Sequence, residues 1–181
     1  MVRWYVYPFS WSVVLAVLGA RPSIAQPPIC PRPPLARLAQ ITGEWNVRWE
    51  YRESDTLRLA EHALAVIEPT AGNCGILQRL DGEFPNGRAV HVTMLFAAGT
   101  DTTLRMVYED SDHGDLLLFD GVVGPDAIRF GWSRDLGARR QLLRYEYTGI
   151  TATSFSTRSV MSPNSGETWV VVQQAQYDRR R

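Results

Sequence analysis

From Gly43-Glu44-Trp45 to Tyr177-Asp178-Arg179 the chain alternates apolar and polar residues in short runs, and turn-forming residues interrupt the runs about every ten positions. A period of two places successive side chains on opposite faces of a strand. The alternation is cleanest where Trp45, Val47, Trp49 and Tyr51 share one face and Glu44, Asn46, Arg48, Glu50 and Arg52 the other. Val90, Val92, Met94 and Phe96 repeat it, followed by Leu104, Met106 and Tyr108, and then by Ile128, Phe130 and Trp132. Leu57 to Glu68 is apolar with an irregular phase, which predicts one strand with a bulge. Gln141 to Thr148, Thr151 to Met161 and Glu167 to Tyr177 supply three more strands. No crossover is long enough to return a parallel strand, so the order is a meander. The expected fold is all-β: one antiparallel up-and-down barrel of about 8-10 strands over residues 43-179, dry inside and wet outside.

Two segments precede the barrel. Residues 1-25 read as a signal peptide, with Arg3 as the positive end, Trp4 to Ala20 as the apolar stretch and Ser23-Ile24-Ala25 as a small-residue cleavage site. An uncleaved anchor is the alternative, for which the apolar stretch is only marginally long. Residues 26-42 form a Pro-rich arm ending in a short helical turn around Leu35 and Leu38. The expected location is therefore secreted or periplasmic, with no stable membrane span once the leader is removed. Cys30 and Cys74 are the two cysteines, and export favours a disulfide between them over two free thiols. Closing that loop would contribute on the order of 4 kcal/mol in the chain-entropy view. The 19 basic residues, all Arg, balance the 19 acidic ones, so charge gives no case for nucleic acid as a partner.

Few residues group into recognisable chemistry. His62, His91 and His113 share no face, so no metal site is expected. Asp110 to Asp115 has acids and a Gly but lacks the ligand order of a calcium loop, and reads as a hairpin turn. There is no Gly-x-Ser-x-Gly elbow and no phosphate loop, and no cofactor is implied. The last hairpins allow a register. A tight turn at Gly149-Ile150 sets Tyr147 opposite Ala152, Tyr145 opposite Ser154 and Gln141 opposite Arg158. On that register Tyr145, Ser154, Arg158 and Trp169 face inward, while Arg144 and Glu146 face out. An Arg inside an apolar barrel needs a counter-charge, and a ligand carboxylate is one candidate.

Gly43-Glu44-Trp45 after a short helix, with Arg179 on the last strand, resembles the lipocalin-like members of the calycin superfamily. The tail, with Ser162, Gly166, Glu167, Trp169 and Tyr177-Asp178-Arg179, is similar to exported bacterial lipocalin-like proteins of uncharacterised function. The resemblance implies that Trp45 and Arg179 are structural, the Arg packing across the Trp at the closed end. The expected function is binding of a small, largely apolar or amphipathic molecule, with a carboxylate-bearing one as a candidate. Trp49, Met94, Phe96, Met106, Tyr145, Ser154 and Trp169 would line its site, and Arg158 would anchor it. A barrel enzyme using Tyr145, Arg158 and an acid is an alternative, as is a ligandless envelope or interaction protein.

Overall fold

The computed structural model describes residues 33–181, apart from positions 61, 101, 112 and 113. The leader segment, Cys30 and His113 lie outside the described residues, and with Cys30 lies the Cys30–Cys74 pairing. A short helix, α1 (Pro33–Ala39), leads into eleven strands. These are β1 (Gly43–Glu53), β2 (Thr56–Leu59), β3 (His62–Pro69), β4 (Gly75–Glu83), β5 (Ala89–Ala98) and β6 (Thr103–Asp110). They continue as β7 (Leu116–Val123), β8 (Ala127–Leu136), β9 (Arg139–Thr148), β10 (Ser154–Ser162) and β11 (Val170–Arg179).

Each strand pairs antiparallel with its neighbour in a meander, and β11 returns to pair with β1 from Trp45↔Arg179 to Tyr51↔Gln173. That last ladder closes ten strands into a barrel. β2 stands outside the ring. The segment Leu57 to Glu68, expected as one bulged strand, is two strands: β2 folds back on the second half of β1, and β3 then pairs with its first half. The irregular apolar phase of that stretch reflects this change of partner at Ala60, whose amide donates to the Trp49 carbonyl at 2.7 Å.

The inward positions follow the predicted alternation. Trp45, Val47 and Trp49 on β1, Val90, Val92, Met94 and Phe96 on β5, Leu104 and Met106 on β6, and Ile128 and Phe130 on β8 are all buried. One end of the barrel is closed. There β1 begins and β11 ends, and α1 lays Leu35 and Leu38, with Ile41 after it, against the opening. The Trp45 indole donates to the Ile41 carbonyl at 2.9 Å, and its ring meets Phe155 edge-on at 4.8 Å. Phe155 stacks in turn on Tyr177 at 4.1 Å. The other end, where β1, β4, β6 and β8 finish, has no such plug among the described residues.

Candidate functional site

The interior divides into a packed floor and an open upper half. Above the Trp45–Phe155–Tyr177 stack lies a buried polar cluster. Gln78 is fully buried on β4, between the inward Ile76 and Leu80. Its amide nitrogen donates to the Tyr177 hydroxyl at 3.2 Å, and its carbonyl accepts from the Tyr147 hydroxyl at 2.9 Å. The Tyr147 hydroxyl also lies 3.4 Å from the Met94 sulfur. Thr157 and Ser159 of β10 are buried beside Tyr145. A buried amide left unpaired would be costly, so this pairing orients the rings around it. Among the described residues no buried side-chain polar atom lacks a partner.

Burial pushes the phenols of this cluster well above their ordinary range. For Tyr147 and Tyr177 loss of hydration is the main cause, reinforced by neighbouring phenols. Burial also raises Tyr145, against a lowering hydrogen bond with Thr157. Tyr108 sits higher in the barrel; burial raises it most, and the Asp110 carboxylate beside it raises it further. All four are therefore neutral hydroxyls that donate or accept hydrogen bonds at ordinary pH.

Over this floor a cavity of about 530 Å³ opens to the unplugged end. Its walls are aromatic and aliphatic, with Trp49, Phe84, Tyr108, Phe119 and Trp132 among them, and Tyr145 and Ser159 at its base. The Trp49 indole donates to the Gln173 side-chain carbonyl at 3.2 Å, which fixes both on the wall. The Tyr51 and Phe84 rings meet at 3.7 Å with a tilt of 31°, and the Arg88 guanidinium lies 5.1 Å from the centre of the Phe84 ring. The rim mixes signs: Arg52, Arg88 and Arg134 on one hand, Asp110 and Asp115 on the other. Among the described residues no group of three His, Cys, Asp or Glu side chains converges to hold a metal ion. His91 points outward and meets Asp81 at 2.6 Å on the surface.

The site residues expected from the sequence separate into two groups. Trp49, Met94, Phe96, Met106 and Tyr145 are buried inside the barrel. Trp49 and Tyr145 line the cavity itself, whereas Met94, Phe96 and Met106 pack deeper, in the core of the barrel. Arg158, Ser154 and Trp169 are not inside. The β9–β10 turn is longer than a two-residue hairpin: the Thr151 hydroxyl accepts from the Ser154 amide and donates to the Ser154 carbonyl, both at 2.9 Å. Tyr147 therefore faces Thr157 and not Ala152. An odd shift in register turns every side chain of β10 to the other face. Phe155, Thr157 and Ser159 go in, and Ser154, Ser156 and Arg158 go out. The Arg158 and Tyr145 side chains thus point to opposite faces of the wall. Trp169 precedes β11 on the outer wall, where its ring carries the Arg144 guanidinium at 4.0 Å and its indole donates to the Gly166 carbonyl at 3.1 Å.

Trp45 and Arg179 do meet, the guanidinium lying 4.4 Å from the ring centroid. Arg179 also donates to the carbonyls of Thr42 at 2.9 Å, Gln40 at 3.3 Å and Ala152. Gly43 has a φ of +135°, a conformation that favours glycine, and a Cβ there would displace the Arg179 guanidinium. Sequence reasoning missed Gln78, Thr157 and Ser159, whereas it placed Gln173 on the inward face, where it is found. Gln78 was readable as a polar residue in the apolar phase of Ile76 and Leu80; Thr157 and Ser159 depended on the β9–β10 register.

The sequence matches no family model and no curated protein. Solved structures do match. The S-type phycobiliprotein lyase from Guillardia theta aligns over 81% of this chain and 92% of its own, with a TM-score of 0.59 at 8% identity. A redesigned β-barrel, mFAP1, bound to DFHBI aligns over 82% of this chain and 100% of its own, with a TM-score of 0.45 at 13% identity. At such identities the likeness is one of fold. With its closed ten-strand antiparallel meander, the chain has a calycin-like barrel fold.

Proposed function

We propose that this protein binds a small, largely apolar or amphipathic molecule in the upper half of its barrel. The observation that carries the reading is the uneven filling of one continuous tube. Its closed half is packed with stacked aromatics, while its open half keeps a cavity of about 530 Å³ with aromatic walls. Small-molecule sites in proteins are commonly about 300–1,000 Å³ and mostly apolar, with a few placed polar groups. Here the polar groups are Tyr108, Tyr145, Ser159 and Gln173 at the base and lower wall. Trp49 and Trp132 would contact the bound molecule. We also propose that the protein is exported, on the strength of the leader-like residues 1-25 alone.

The test is a titration of intrinsic tryptophan fluorescence with a fatty acid, a retinoid and a haem-like compound. Saturable quenching by at least one is expected, and Val92→Phe, which adds bulk to the cavity wall, should weaken it about tenfold or more while the far-ultraviolet spectrum is unchanged. If none of the compounds changes the fluorescence, or if Val92→Phe leaves the response intact, interior binding is wrong.

A further inference from the structure

The barrel wall has a seam. β7 and β8 pair only over Asp120–Val123 and Ile128–Gly131. Beyond Asp120 and Gly131, towards the open end, β7 is bonded only to β6 and β8 only to β9. β1 and β3 also share a short ladder, but there β2 takes up the free half of β1. Among the described residues no strand fills the gap between β7 and β8. The cavity reaches this gap, since Leu117 and Phe119 on one side and Trp132 on the other line it.

At the foot of the seam the outer wall carries a second concavity, a groove of about 890 Å³. Two glycines lie in its lining. Gly121 faces inward with the Phe130 ring across it, where a Cβ would collide. Gly131 faces outward between Asp120 and Arg144, and nothing lies within 4 Å of where its Cβ would stand. Tyr145 lines both the groove and the interior cavity. Four guanidinium groups border the groove against two carboxylates. Arg105 is 3.7 Å from Asp120, and Arg129 is 2.6 Å from Glu146. Arg144 rests on Trp169, and among the described residues neither Arg144 nor Arg158 has a carboxylate partner. The groove therefore has two more guanidinium groups than carboxylates, against one more at the rim of the open end.

We infer that the seam is a lateral passage into the barrel, and that the groove at its foot holds the anionic head of an amphipathic carboxylate whose apolar body occupies the cavity. The inference rests on interior binding as proposed above. A head left in the groove keeps its hydration and gains a guanidinium, which can meet a carboxylate with two parallel hydrogen bonds. Threaded through the wall into an apolar interior, the same head would lose that hydration without compensation. The body has the reverse preference, which sets the direction of the molecule.

Dansyl-undecanoic acid and its methyl ester are matched probes, alike in body and different in head charge. The acid should bind about tenfold more tightly than the ester, and Arg158→Gln should remove most of that preference while leaving ester affinity unchanged. Gly131→Leu, which has room for its side chain on the outside, should slow association of both probes in stopped-flow measurements. Equal affinity for acid and ester, or a preference that survives Arg158→Gln, overturns the inference; if Val92→Phe still abolishes that binding, the interior reading stands without it. A preference for the acid that Val92→Phe does not touch places the whole ligand outside and overturns the passage. If neither probe binds the unaltered protein, both readings fall together.

Discussion

At the scale of single residues, Arg179 holds more structure than its half-exposed position suggests. It covers the Trp45 ring and gathers the carbonyls of Gln40, Thr42 and Ala152, joining the helical lead-in, the first strand and the β9–β10 turn. Hydrogen bonds from a charged donor and a cation–π contact each contribute about 1–2 kcal/mol when partly sheltered. Arg179→Ala should therefore lower unfolding free energy by about 2–3 kcal/mol in urea denaturation, and Arg179→Lys should recover less than half, because a lysine cannot span three carbonyls from one plane. A loss within experimental error would mean that α1 closes the barrel unaided. The Gly-x-Trp and the distant Arg were legible in the sequence. That a Cβ at Gly43 would run into the guanidinium was not, because only the closed barrel brings positions 43 and 179 together.

At the scale of elements, register decides which residues meet. Within a strand the alternation is local, so the inward faces of β1, β5, β6 and β8 were readable from the order of residues. Between strands it depends on the turn. Thr151 closes a longer turn than Gly149-Ile150 implies, and that difference carried Arg158 out of the barrel and Thr157 and Ser159 into it. The β10–β11 ladder adds a bulge between Ser159 and Val160, which no residue pattern announces. The seam between β7 and β8 belongs to the same scale. Amides facing an unpaired edge exchange through small openings, whereas those inside a ladder exchange through larger ones. In hydrogen–deuterium exchange, alternate amides of 116–119 and 132–136 should exchange at least tenfold faster than those of the β9–β10 ladder. Uniform protection across β7, β8 and β9 would show that the seam is shut in solution.

At the scale of the whole molecule, one tube combines a packed floor with an open half, and the floor has a pH signature. Burial raises the phenols of Tyr108, Tyr145, Tyr147 and Tyr177 in the folded chain, while in the unfolded chain they titrate near the ordinary value of about 10. The unfolded state then gives up these protons at lower pH than the folded state does. Their contribution to stability is complete below about pH 10 and is lost as pH rises beyond it. Phenolate absorbance from these four rings should appear only together with loss of the far-ultraviolet strand signal, and smooth ionisation near pH 10 in an intact barrel would contradict the burial. What the residue order determined by itself was the class of fold, since a period of two repeated between turns leaves few options but a closed antiparallel sheet. It also determined most of the dry face, since that depends only on neighbours in the chain. Tertiary structure decided how the strands align, which half of the tube is filled and where the wall is thin. Those properties arise from contacts between residues far apart in sequence, and a change of one turn moves them without altering the local pattern.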